Sequence, residues 1–400
     1  MRVRLAWISR RADASAGKGT SAAVVAGCLL FALCAGAICG QTSAPQENAV
    51  RQEFTQAVAD GTQALQAGDN PAAEKAYRQA LALDPRSVEV LNNLAISIAR
   101  QGRETEAIAL YERALQLRKN DPITERNLGI AYFQAHRYRE ALPLLESFAR
   151  ETPTFQSLDL TGLDFFALDR YHEAATYLQR ASQMDPQDLP TLDILGKACW
   201  REKDFAGVTA VFNRIMAANP NSPEAHFMLG LADDIEYKEQ DAVREFQAVL
   251  AADPDYPAVH QSLGLIDWRE NKGSEAEEEF RAELQRHPGD PVSSYMMGLI
   301  LQKQGKTAQA IPYLREAVTV NPSYLAALFQ LGQSYLAENQ PAEAVAPLEQ
   351  AEKIDPGSAQ VHFVLGRAYS LTGRTAEAAR ERDRARAIQA RQNVQPPASR

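Results

Sequence analysis

The side chains best suited to metal ligation or nucleophilic attack are six histidines, His136, His172, His226, His260, His287 and His362, together with Cys199. Their spacing supports neither chemistry. A zinc site wants paired ligands on one helix face or turn, as in His-Glu-x-x-His or Cys-x-x-Cys, and the chain holds no such pair. It also lacks the Gly-x-Ser-x-Gly elbow that presents a serine nucleophile. Gly17–Ser21 (GKGTS) has phosphate-loop residue types but neither the upstream glycine nor the Lys-Ser/Thr pair. The densest acidic run, Glu275–Phe280 (EAEEEF), reads as the solvated first turn of a helix, where carboxylates favour the helix dipole. Catalysis needs polar groups that converge, and these are spread along the chain. The expectation is a non-enzyme with no cofactor and no metal.

Charge narrows the partners. The chain carries −9, and residues 1–40, with five basic residues against one acid, account for +4 of the other sign, so the remaining body stands at −13. A phosphate backbone repels such a body, which argues against nucleic acid. Residues 22–39 (AAVVAGCLLFALCAGAIC) are uncharged and mostly apolar, behind a basic stretch and ahead of polar residues. That is the order of a secretory signal, and eight Ala or Gly residues leave it only just apolar enough for a retained span. Residues 1–40 are therefore read as a signal peptide or N-terminal membrane anchor, and the body as exported, periplasmic or extracellular. Any contact with a membrane would be through that anchor. Cys28, Cys34 and Cys39 fall inside the segment, so Cys199 has no disulfide partner in the body. Residues 41–53 and 389–400 have linker and tail composition and are expected to be disordered.

The elements that must position any site come from a period. Pro220, Pro254, Pro288, Pro322 and Pro356 are 34 residues apart, and Pro85 to Pro153 is twice that. Gly196, Gly230, Gly264, Gly298, Gly332 and Gly366 recur on the same period, as do Ala242, Ala276, Ala310, Ala344 and Ala378, with a bulky residue four places after most of these. Helices cross closely only where side chains are small, so the Gly and Ala columns mark where two helices of one unit meet. Proline after Asp or Asn ends the second helix, since its ring excludes the α conformation for the residue before it. Pro143, Pro312 and Pro347 are placed in the first turn of second helices, where a missing N–H costs little.

A stretch such as Leu331–Pro356 (LGQSYLAENQPAEAVAPLEQAEKIDP) resembles the tetratricopeptide repeat. Ten starts, at 54, 88, 122, 155, 189, 223, 257, 291, 325 and 359, extend the resemblance over residues 54–388. It implies an all-α fold, a right-handed α-solenoid of stacked helix-turn-helix units. Lys119 in a proline column, Phe148 in a small column and the early fourth start predict altered geometry around residues 118–160. His226, His260 and His362 fall in a bulky first-helix column, as substitutes for core aromatics, and Cys199 reads as an inert buried thiol.

The resemblance also implies where a partner would lie. First helices of such arrays line a concave groove, and the positions that point into it are here Phe227, Tyr295, Phe329 and Phe363, then Leu231, Leu265 and Leu299, then Phe133, Phe166, Trp200 and Trp268. So many aromatics on an open face signal a binding surface for an extended or helical protein segment. The other reading is that neighbouring first helices pack these side chains on each other. Relatives that clamp a terminal carboxylate use Lys in the groove, where this chain has Asp193, Phe227, Gln261 and Phe329. The Asn ladder of glycosyl-transfer relatives is not sustained either, as Asn93 and Asn127 give way to Met228, Ser262, Met296 and Gln330. The expected function is a non-catalytic scaffold or adaptor of the cell envelope. The alternatives are an accessory subunit of an envelope enzyme or of a secretion or polysaccharide-assembly machine, and a glycan-binding module using Trp200 and Trp268.

Overall fold

The computed structural model describes residues 44–394. The signal or anchor read into residues 1–40 lies outside them. Among the described residues there are twenty helices and no strand, paired as ten helix-turn-helix units. Two compact units divide the chain, one ending at Ala218 and the other starting at Asn219.

The first unit holds five pairs: α1 (Ala44–Gln66) with α2 (Asn70–Leu83), α3 (Val88–Ala99) with α4 (Glu104–Leu117), α5 (Pro122–Gln134) with α6 (Tyr138–Glu151), α7 (Phe155–Ala167) with α8 (Tyr171–Met184), and α9 (Leu189–Arg201) with α10 (Phe205–Ala218). The second holds α11 (Pro223–Ile235) with α12 (Glu239–Ala252), α13 (Val259–Arg269) with α14 (Gly273–Arg286), α15 (Pro291–Lys303) with α16 (Thr307–Val320), α17 (Leu325–Ala337) with α18 (Pro341–Ile354), and α19 (Ala359–Leu371) with α20 (Thr375–Val394). Within each unit a first helix packs on its own second helix, and that second helix packs on the next first helix. Each pair thus buries its apolar face only with a neighbour's help.

Local chemistry fixes the boundaries. Asp121, Asp188, Ser222 and Asp290 cap first helices through their side chains, each followed by Pro at one of the first two helical positions, where its missing N–H is harmless. Every turn between paired helices needs one left-handed residue. Gly68, Gly102, Gly305 and Gly373 take it without strain, while Lys203 and Tyr237 hold φ near 60° against their own Cβ. Lys203→Gly is expected to raise unit stability by about 0.5–1 kcal/mol, read from the midpoint of chemical denaturation.

The ends differ from the expected boundaries. α1 starts at Ala44, so most of the span read as linker is helical, and α20 runs to Val394, into the span read as tail. Ala, Gln, Glu and Arg make a disordered-looking composition but are all strong helix formers. Pro143 and Pro312 are the sixth residues of their helices and Pro347 the seventh, deeper than the first turn. Each forgoes one i→i−4 hydrogen bond there. The early fourth start is real, as α7 begins at Phe155.

Candidate functional site

The core that carries the site is a ladder of one contact. In eight of the ten repeats a first-helix glycine faces the residue sixteen places on, and a Cβ on Gly196 would stand 2.4 Å from Phe212. Phe212, Phe246 and Phe280 are fully buried in that column, and Leu314 and Leu348 follow them. Helix pairs held this closely fix the direction in which the rest of each first helix points.

Of the eleven groove residues expected, Phe133 is buried at 3% exposure, Phe363 is open at 62%, and the other nine are half-buried. The packing reading and the open-face reading therefore each hold in part. In the first unit three successive repeats stack a ring at the end of the first helix edge-on against the residue that starts the second. Phe133 meets Tyr138 at 5.6 Å, Phe166 meets Tyr171 at 5.4 Å, and Trp200 meets Phe205 at 5.5 Å between ring centres. Edge-to-face pairs of this kind add about 0.5–1.5 kcal/mol beyond their buried area.

In the second unit the rings reach forward to the next repeat. Phe227 lies 5.2 Å from Tyr256, and Tyr295 lies 5.0 Å from Tyr324, both partners sitting just ahead of a following first helix. Leu231 borders the cluster around Phe246 and Val259. Leu265, Trp268 and Leu299 border the cluster around Phe280 and Met297, and Lys303 sets its ammonium 4.9 Å above the Trp268 ring. Phe329 flanks Leu328, Ala351 and Val361. Phe166, Trp200, Phe227 and Tyr295 each use one side for a ring contact and keep apolar surface beyond it.

Polar groups on these helices are mostly engaged. Asp193 pairs with Lys197 at 2.8 Å on α9, and Gln261 donates to Asp290 at 2.8 Å. Asn92 with Thr124 and Asp159 with Thr191 each bridge adjacent first helices at 2.7 Å. In the acidic run, Glu277 pairs with Arg281 and Glu279 with His260. Cys199 is buried, and burial pushes its thiol up to about 11, well away from a reactive thiolate. Among the described residues no group of three His, Cys, Asp or Glu side chains could hold a metal ion.

The histidines do more than replace aromatics. His226, His260 and His362 each place Nδ1 2.6 Å from a second-helix carboxylate nineteen residues on, Glu245, Glu279 and Glu381. Nε2 of His226 and His362 lies 3.0 Å from the carbonyls of Pro220 and Pro356, in the turn that precedes each helix. A carbonyl oxygen can only accept, so Nε2 is the donor to Pro220 and Pro356. The shared spacing of nineteen was the sequence signal, readable once Glu is aligned as well as His. His362→Ala is expected to destabilise the second unit by about 2–4 kcal/mol, through a cavity and two lost bonds. His362→Leu, which copies Leu328 in the same column, should recover part of that in the same thermal melts.

The tetratricopeptide-repeat family profile matches residues 59–122, 126–188, 240–291 and 295–359, and a second profile of the same description matches 335–395. The chain belongs to the tetratricopeptide-repeat family. Similar curated proteins are the photosystem I assembly protein Ycf3 of Synechococcus sp. (strain CC9605), 36% identical over 84 residues, and that of Prochlorococcus marinus (strain MIT 9215), 33% identical over 84. Those matches span 20% of this chain and 49% of either relative, so about half the length of the curated relatives is represented. Similar solved structures include YrrB, described as a tetratricopeptide protein with an unusual peptide-binding site, at 22% identity and TM-score 0.41 over 45% of this chain and 92% of that one. Pseudomonas aeruginosa pilF is similar at 17% identity and TM-score 0.46, over 53% and 93% of the two chains. The tetratricopeptide array is a protein–protein interaction scaffold, and its open first-helix surfaces are the candidate contact sites.

Proposed function

We propose that this tetratricopeptide protein is a non-catalytic scaffold exported to the cell envelope, holding an extended or helical segment of a partner protein against its first helices. The observation that carries the binding reading is the run of half-buried apolar side chains at equivalent positions of α11, α13, α15 and α17. Phe227, Leu231, Leu265, Trp268, Tyr295, Leu299 and Phe329 keep apolar surface after repeat packing is satisfied, and Phe363 on α19 continues the series. Helix-in-groove recognition uses anchors of this kind. Support for export is the basic-then-apolar order of residues 1–40. Among the described residues no helix is long and apolar enough to cross a membrane, so an anchored form would depend on that N-terminal segment.

The test is affinity capture from envelope extract with the chain as bait, alongside the Trp268→Ala, Phe329→Ala double variant. A protein held by the first bait and lost by the second supports the groove. Equal capture by both removes the groove from the reading, and retention of cell-wall glycan in place of a protein would favour the Trp200 and Trp268 alternative.

A further inference from the structure

Six first helices place a small, buried residue at their tenth position: Ser97, Ala131, Ala198, Ala232, Ser334 and Ala368 are all at 3% exposure or less. α7 departs from this by placing Asp164 there, with no exposure at all. Neither carboxyl oxygen of Asp164 finds a hydrogen-bond partner. Other buried acids do: Asp159 takes the Thr191 hydroxyl, Glu283 takes the backbone N–H groups of Ala258 and Gln261, Glu74 takes Arg103, and Glu381 takes His362. A carboxylate left dry and unpaired is among the costliest groups to bury, so the folded junction strongly prefers the neutral acid.

The groups on the helices packed against α7 offer no relief. From α6 come Glu146, which has the wrong sign, and the phenol of Tyr138, whose hydroxyl is engaged with His136 at 2.8 Å. From α8, Glu173 is paired with Arg170, His172 points to solvent beside Glu202, and Tyr177 lies on Phe165. From α9, Asp193 and Lys197 satisfy each other. Burial, with Glu146 adding to it, pushes the Asp164 carboxyl up to about 7. The same site reaches a groove residue, because Tyr138 feels the Asp164 charge and stacks on Phe133, which is buried where Phe166 and Trp200 are half open.

We propose that Asp164 is a pH-operated latch on the junction of the third and fourth repeats, sealed when protonated and, when ionised, hydrating the α6–α7 contact and uncovering Phe133. The functional consequence for a partner rests on the groove reading above, whereas the latch itself does not. The folded-state carboxyl is raised above its unfolded value, so the closed junction is fully favoured below the ordinary carboxylate range and loses its advantage as pH rises through about 7.

The experiment is hydrogen exchange of the full chain between pH 5.5 and 8.5, corrected for intrinsic rates and read at amides of α6 and α7. One linked proton gives at most about a tenfold loss of protection per pH unit, and the wild type is expected to approach that from pH 5.5 up to about 7 and to level off above it, where the closed and open junctions are both ionised. Asp164→Asn, which cannot ionise, and Asp164→Ala, which restores the residue of neighbouring repeats, should both hold protection flat over the same range. Were Asn to prevent folding, Ala in a small-residue column would still carry the comparison. A flat wild type, or variants that keep the wild-type slope, would overturn the latch. No partner takes part in these readouts, so a failure of the groove reading leaves them intact.

Discussion

Gly196→Ala is expected to destabilise the first unit by about 1–3 kcal/mol, although alanine is otherwise the better helix former by about 1 kcal/mol. The added methyl would stand 2.4 Å from the Phe212 ring, a distance that no unshifted pair of carbons keeps. Phe212 has no exposure, and close-packed interiors leave a buried ring little room to turn. Phe212→Ala alone should cost about 3–5 kcal/mol through loss of buried area and a cavity. The two changes meet at one contact, so they should not add: alanine at 196 grows into the space that alanine at 212 vacates. A double-mutant cycle by urea denaturation is expected to show at least about 1 kcal/mol of favourable coupling. Additive losses would mean that the glycine column reflects something other than close approach of the paired helices.

That contact was half visible in the sequence. The period of 34, the Gly and Ala columns and the bulky column all follow from a demand that recurs in every repeat, so they repeat in the text. What occurs once leaves no such trace. Asp164 is an ordinary letter until the structure puts it in a column of small buried residues. The helical start at Ala44 was hidden because polar helix formers look like linker when no packing pattern accompanies them. The groove residues fall between these cases. Their positions follow from the repeat, but how much of each ring remains open depends on neighbours as particular as Tyr256 for Phe227 or Lys303 for Trp268.

Those neighbours set the size of the binding effect. A Trp or Phe offers about 150–250 Å² of surface, and for a half-buried ring no more than about a third of it is left for a partner. At about 25 cal/mol per Å² this is at most about 1–2 kcal/mol per ring before the cost of ordering the partner segment. Trp268→Ala with Phe329→Ala is therefore expected to weaken binding of a captured partner segment about tenfold to a hundredfold, by titration of a labelled peptide. Some stability should go as well, since Trp268 also gives up its contact with the Lys303 ammonium, worth about 0.5–1 kcal/mol. Phe363→Ala separates the two effects. Its ring is 62% exposed, so the substitution should shift the melting midpoint little while lowering affinity wherever the partner reaches α19. If all three rings can be removed without loss of affinity, the apolar surface left by repeat packing is not where the partner binds.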